Sequence, residues 1–285
     1  MNRSKNKKNS NFWFFAVIAV IIFSFFQLIN PIKANAPAEI SSEDIKPKEE
    51  TSANKPQETF QDLTDNIAEV DILMYHHIGP LPENSDKIRY GLTVSQEDFE
   101  SHLKYLKENQ FDVLTLGQVE TAISNNKLPM RVAVLTFDDG YDDNYIYAKP
   151  LLEKYGFKAT FFVISNKIGQ TEYMDREQIV DLAKNHEIGS HSYSHSSMAG
   201  LSDYYLEREM KKSKDDIQEL IGREVKSFCY PAGKYDDRAV EKLKEYGYKI
   251  AVTTEASTGL VDIRNLFLAP RYRIAPAMSL EVLLR

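Results

Sequence analysis

A single α/β domain with parallel strands is predicted for residues 69–285, on three observations. Short runs of β-branched and aromatic residues alternate with stretches of helical periodicity, the pattern of successive βα units. The stretch of about 215 residues suffices for one barrel-sized core. Two groups of reactive side chains, Asp138-Asp139-Gly140 and His191-Ser192-Tyr193-Ser194-His195, begin at predicted strand ends, where barrel enzymes display their chemistry.

Taken in order, strands are expected at 72–75, 113–115, 132–137, 160–164 and 227–230. Between the first two, Phe99, Leu103 and Leu106 recur at helical spacing. Ser95 stands where its hydroxyl can cap that helix, with Asp98 in the first turn. A later helix is expected from Asp203 toward Leu220, its mixed acids and bases marking a solvated outer face. No internal repeat is evident.

The chain ahead of this domain is of another kind. A basic tail, residues 1–11, precedes an apolar segment, 12–29, nearly long enough to span a bilayer. A basic flank before such a segment directs export and keeps the tail inside. Small residues at Ala34-Asn35-Ala36 offer a cleavage site, but Pro37 directly follows, so an uncleaved anchor is expected over a cut signal. Residues 30–68, rich in Glu, Lys, Ser, Thr and Pro, are expected to form a disordered extracellular linker, because they carry too few large apolar groups to offset ordering entropy. The lone Cys229 excludes an internal disulfide.

Net charge limits the partners. The whole chain carries −7, but residues 1–36 hold five of the 35 bases and none of the 42 acids, leaving −12 for the exported part. Such a surface repels phosphate backbones and argues against nucleic acid. A neutral acetylated glycan, or its cationic amine product, is compatible with it.

Asp-Asp-Gly after a strand is more often a turn than a site, and a histidine pair at four-residue spacing is often a solvated helix face. Together they differ, since the chain has only six histidines. Two imidazoles and two carboxylates are the parts of a metal-dependent hydrolase, and on a helical turn the spacing of His191 and His195 would put both rings on one face, able to grip one ion.

From about Asp71 to the C-terminus the sequence resembles the polysaccharide deacetylases of carbohydrate esterase family 4, the NodB-homology domain. Thr136-Phe137-Asp138-Asp139-Gly140 is similar to the family's first motif and His191-Ser192-Tyr193-Ser194-His195 to its second. Segments 159–163 and 187–190 are similar to the strands that accompany them. The resemblance implies a distorted, incomplete (β/α) barrel, with Asp139, His191 and His195 as metal ligands and Asp138 as catalytic base. It implies Zn²⁺, although two histidines and a carboxylate also suit Co²⁺, Ni²⁺ or Fe²⁺.

The later motifs depart from the family's pattern. Phe228-Cys229-Tyr230-Pro231-Ala232-Gly233 puts Cys229 where the family has an arginine that orients the base, and Ala232 where a tyrosine supplies a backbone oxyanion contact. The Ala232 N–H can still make that contact. Pro270-Arg271-Tyr272-Arg273 resembles a Pro-Arg segment of one branch of the family, which makes Arg271 the candidate replacement. No histidine follows His195, so the usual late acid is missing. The upstream Tyr75-His76-His77 resembles the segment that supplies the acid in the branch with rearranged motifs, which includes deacetylases of poly-β-1,6-N-acetylglucosamine. His76 matches by position. Read without the family, the His76-His77 pair is equally open to a core histidine or a second metal site. Tyr141, Tyr193, Tyr230 and Tyr235 are candidates to stack on sugars or simply to pack.

The resulting expectation is a membrane-associated, extracellular, monomeric N-deacetylase of poly-β-1,6-N-acetylglucosamine. Rivals are a peptidoglycan N-acetylglucosamine deacetylase, an O-acetyl xylan esterase, an inactive glycan-binding protein, and a Mg²⁺ phosphatase built on Asp138, Asp139, Asp142 and Asp143. The last lacks an Asp-x-Asp strand end and gives the histidines no role.

Overall fold

The computed structural model describes residues 59–284. The tail 1–11, the apolar segment 12–29 and most of the linker 30–68 lie outside the described residues. Among those described, no helix is long and apolar enough to cross a membrane.

Seven parallel strands close a ring: β1 (Ile67–Tyr75), β2 (Val132–Phe137), β3 (Thr160–Val163), β4 (Glu187–Ser190), β5 (Ser227–Cys229), β6 (Ile250–Ala256) and β7 (Ala269–Arg273). Each pairs with the next, and β1 joins β7 on one side (Leu73 opposite Tyr272) and β2 on the other (Val70 opposite Val132 through Tyr75 opposite Phe137). Seven strands rather than eight make this the incomplete barrel the resemblance implies. Between β6 and β7 the register slips between Ala269 and Arg271, which distorts the ring beside the site.

Alternation along the strands divides the core. Ile72, Val134, Phe162, Cys229 and Val252 face inward and pack with Leu116, Val119 and Ile123 of the helix Leu116–Ser124, which closes the end where the strands begin. Leu73, Tyr75, Leu135, Phe137, Phe161 and Val163 face outward under the helices. Gly189 leaves room inside: a Cβ there would lie 2.6 Å from the Phe162 ring.

Local signals account for most of the helices. Ser95 accepts the Asp98 N–H at 3.0 Å and starts Gln96–Glu108, which buries Phe99, Leu103 and Leu106 as their spacing predicts. Thr115, expected to end a strand, instead caps the next helix in a reciprocal box with Gln118, and the strand before it is Asp112–Leu114. The helix expected from Asp203 toward Leu220 runs from Asp203 to Ile221 but carries a π-helical segment, Glu207–Lys212. The linker boundary at 68 is corrected: Gln61 N–H donates to the Leu128 carbonyl, Phe60 bridges Pro129, and Leu63 and Ala68 are buried. Phe60, Leu63 and Ile67 give this stretch apolar groups that an average over 30–68 conceals.

Candidate active site

Inward-facing positions of β2 continue past its end to Asp138, which is 2% exposed and whose N–H donates to the Tyr75 carbonyl on β1. Arg271 comes in from β7. Its Nη1 and Nη2 donate to Oδ1 and Oδ2 of Asp138 at 2.8 and 2.7 Å, a two-pronged pairing. The remaining donors are also used: Nε to the Thr253 carbonyl at 2.8 Å, Nη1 to Thr136 Oγ1 at 2.9 Å and Nη2 to Cys229 Sγ at 3.2 Å. A guanidinium that is 1% exposed is thereby fully satisfied. Burial pushes the Asp138 carboxyl up, but the Arg271 charge and hydrogen bonds outweigh it, and with His191 and His76 hold it well below the usual carboxylate range.

The chain turns at once after Asp138. Asp139 has a φ of 72° and Gly140 one of 81°; a Cβ on Gly140 would stand 3.1 Å from Val163. The turn aims Asp139 away from Arg271, at the two histidines. Its Oδ1 lies 3.5 Å from His191 Nε2 and 3.4 Å from His195 Nε2. His191 follows β4, and its Nδ1 sits 2.8 Å from the Cys229 carbonyl. A carbonyl only accepts, so Nδ1 carries the proton and Nε2 is left free toward Asp139.

The histidine pair is not on a helical turn, which corrects that expectation. Residues 191–195 form a loop in which Ser192 and His195 take left-handed φ values of 65° and 62°. Ser192 Oγ accepts the His195 N–H at 2.8 Å, and Ser190 Oγ accepts the Ser192 N–H at 3.2 Å. Strained backbone held by surrounding bonds, rather than helical periodicity, brings the rings together.

The donor atoms of Asp139, His191 and His195 all lie within 4.8 Å of one another. A tetrahedron with bonds of about 2.1 Å has edges of about 3.4 Å, which the carboxylate-to-imidazole separations match. Two imidazoles and one carboxylate also suit Zn²⁺ or a neighbouring divalent ion. The residues fit such an ion. Asp138, His191 and Cys229 form a second close group, but there Asp138 is taken up by Arg271 and His191 Nδ1 by a carbonyl.

His76 and His77 diverge. His77 is buried, its Nδ1 2.7 Å from Asp143 Oδ2, and stacks on Tyr141 with ring centres 3.6 Å apart. His76 is half-buried, its Nδ1 without a partner among the described residues. Burial lowers its pKa, opposed by the charges of Asp138 and Asp139 beside it and assisted by those of Arg271 and Arg273. Ala232 lies in the turn Pro231–Gly233 after β5, itself exposed, with a φ of 52°.

The four tyrosines part company. Tyr141 is half-buried at the rim, where burial and the charge of Asp139 raise its phenol above the ordinary range. Tyr235 is half-buried, its hydroxyl donating to Glu255 at 3.1 Å. Tyr230 is wholly buried between Phe228 and Tyr235, so it has no face to offer a sugar, which corrects its assignment as a contact. Tyr193 lies under the cations of Arg208 and Lys212, about 5 Å above its ring, and packs on the helix instead.

Several participants carry no sequence signal of their own. Cys229 touches Asp138 and Arg271 through sulfur and His191 through its carbonyl. Thr136 and Thr253 brace the guanidinium. Glu209, on the π-helical segment, reaches the histidine loop. Thr136 and Cys229 lie within recognised motifs; Thr253 and Glu209 are found only in the folded chain.

Comparison with known proteins agrees with this geometry. Residues 125–251 match the family model described as polysaccharide deacetylase. YxkH of Bacillus subtilis (strain 168), a protein named for the same family, is 34% identical over 218 residues, covering 76% of this chain and 75% of its own. A poly-β-1,6-N-acetyl-D-glucosamine N-deacetylase of Staphylococcus aureus (strain MRSA252) is 26% identical over 67% of this chain and 71% of its own. Among solved structures, the Streptococcus pyogenes deacetylase PplD in complex with acetate superposes with a TM-score of 0.70 at 31% identity, covering 76% of this chain and 97% of that one.

Proposed function

Because the chain belongs to the polysaccharide deacetylase family, we propose that it removes N-acetyl groups from an extracellular glycan by metal-dependent hydrolysis, with poly-β-1,6-N-acetylglucosamine as substrate. One observation carries this reading: a buried, arginine-clamped carboxylate stands directly beside a carboxylate-and-two-histidine cluster that faces away from the arginine. The relative named for poly-β-1,6-N-acetyl-D-glucosamine supports the choice of glycan, as does the position of His76 ahead of the aspartate motif.

Asp139, His191 and His195 would hold the ion. When bound, it supplies Lewis acidity to the acetamide carbonyl and to the attacking water. Asp138 accepts the water's proton; Arg271 keeps its carboxylate ionised and fixed, at a cost in basicity. The Ala232 N–H, in its turn after β5, stabilises the oxyanion, a contribution of roughly 3 kcal/mol in comparable sites. His76 delivers a proton to the departing amine; Asp138 and Asp139 favour its charged form, but burial outweighs them and lowers its pKa. Tyr141 and Tyr235 flank the sugar at the rim. The enzyme acts as a monomer on the outer face of the cell membrane, held by residues 12–29; protease treatment of intact cells should remove the domain, and a soluble product beginning near Glu39 would replace the anchor with a cleaved signal.

The deciding experiment is acetate release by the purified Zn²⁺-loaded protein from poly-β-1,6-N-acetylglucosamine, peptidoglycan and acetylated xylan. The first should be the best substrate, and chelation should stop the reaction. Preference for either of the others overturns the choice of glycan. Tight glycan binding without acetate release overturns the catalytic reading.

A further inference from the structure

Among the described residues, the buried acid of the π-helical segment Glu207–Lys212 stands apart from every role assigned so far. Glu209 is 3% exposed, and its carboxyl is held by hydrogen bonds rather than by an ion pair among the described residues. Both its oxygens serve one residue: the Ser194 N–H donates to Oε2 at 2.7 Å, and Ser194 Oγ donates to Oε1 at 2.7 Å. The Glu209 carbonyl takes the Tyr193 N–H at 2.9 Å as well. A π turn shifts the helical ladder by one residue, which is how a helix can turn a carbonyl and its own side chain toward the same neighbouring loop.

That loop is the one with most to hold. Ser192 and His195 both sit at positive φ, and the His195 side chain remains 40% exposed, so packing alone does not fix it. Ser192 Oγ restrains the loop from within. Glu209 restrains it from outside, at the residue immediately before His195. A buried carboxyl costs several kcal/mol if unsatisfied, so three short bonds concentrated on residues 193 and 194 mark a built clamp.

We infer that Glu209 is a positioning residue for the metal centre, gripping Ser194 so that His195 Nε2 is delivered to Asp139 Oδ1 beside His191. The inference rests on the reading of Asp139, His191 and His195 as ligands. Outer contacts of this kind change metal affinity by roughly tenfold to a hundredfold when removed.

The test uses the full chain and Co²⁺ alone, with affinity read by competition against a chromophoric chelator and coordination read from the visible absorption of bound Co²⁺. Glu209→Leu, which can accept neither the Ser194 N–H nor its hydroxyl, should weaken Co²⁺ binding by tenfold or more and shift the absorption bands. Ser194→Ala, which keeps the backbone bond but loses the hydroxyl, should weaken it several-fold. The double variant should bind no more weakly than Glu209→Leu, because both changes break one clamp. Lowered thermal stability of the metal-free protein with unchanged Co²⁺ affinity and spectrum would make Glu209 a structural residue only and overturn the inference. If Glu209→Leu does not fold, unchanged affinity in Ser194→Ala overturns it. Absence of stoichiometric Co²⁺ binding in the unaltered protein would instead overturn the ligand assignment, and the inference with it.

Discussion

Arg271 and Asp138 stand 133 positions apart in the chain and meet through parallel hydrogen bonds of 2.8 and 2.7 Å, both side chains almost wholly buried. The place where the family resemblance puts an arginine is held by Cys229, whose small side chain lies 3.2 Å from the same guanidinium. The charge is therefore supplied from β7 rather than from the end of β5, and the thiol leaves room for it.

Replacing Arg271 should damage both stability and turnover. Arg271→Met strands a buried carboxylate, which costs about 3–5 kcal/mol and should appear as a lower urea midpoint. Turnover should fall roughly a hundredfold through lost orientation of Asp138, with metal content retained. Arg271→Lys should rescue little, since one ammonium cannot reproduce the two-pronged bond or reach Thr253, Thr136 and Cys229 together. Near-full rescue by lysine would reduce the role of Arg271 to its charge.

Neighbouring acids should separate by function. Asp138→Asn is expected to keep metal while losing most acetate release, because an amide cannot take the water's proton. Asp139→Asn, His191→Ala and His195→Ala should lose stoichiometric metal, the fold largely intact in each. Metal analysis beside activity distinguishes them, and the opposite assignment of the two aspartates would follow from the reverse result.

Legibility of the site tracked how local its signals are. Asp138, Asp139, His191 and His195 come as two short motifs on either side of the β3 unit, and a strand followed by Asp-Asp-Gly can be read from residue types alone. Arg271 was reached through resemblance, because nothing within β7 itself says that its guanidinium points inward at Asp138. Strands β6 and β7 escaped detection as elements: Thr253, Thr254 and Glu255 dilute one, and the other follows a 3₁₀ segment and begins Ala269-Pro270. Four-residue spacing is a helical signature, whereas here left-handed backbone at Ser192 and His195 brings the two rings to the same convergence. Glu209 has no signal, since in sequence a buried acid looks like exposed neighbours such as Glu207.

The two adjacent histidines should behave differently. His76 faces Asp138 and Asp139, while His77 bonds Asp143 and stacks on Tyr141. His76→Ala should cut turnover about a hundredfold or more with unchanged metal content and an altered basic limb of the pH–rate profile. His77→Ala should mainly lower thermal stability, by opening a void against Tyr141 and leaving half-buried Asp143 short of a partner. Near-normal turnover without His76 would require another proton donor.

Acid sensitivity of the fold should trace in part to His186, away from the catalytic cluster. Its ring is 4% exposed, edge-on to Phe161, and Nδ1 accepts the Ala159 N–H at 3.3 Å, so Nε2 carries the proton and finds no partner. Burial lowers its pKa to about 4; Glu153 opposes the shift, while Lys149, Lys158 and Arg223 add to it. With the folded value below the unfolded value of 6.5, the unfolded chain binds the proton first. Stability is therefore present above pH 6.5 and is lost as pH falls through that value toward 4, by at most about 3 kcal/mol. His186→Gln can still accept the Ala159 N–H but does not titrate. Between pH 7 and pH 4.5 the melting temperature of the metal-free variant should fall by roughly 5 °C less than that of the unaltered protein. Melting curves taken in chelator keep metal loss out of the comparison, and equal acid shifts in the two proteins would show that His186 already takes up its proton in the folded state.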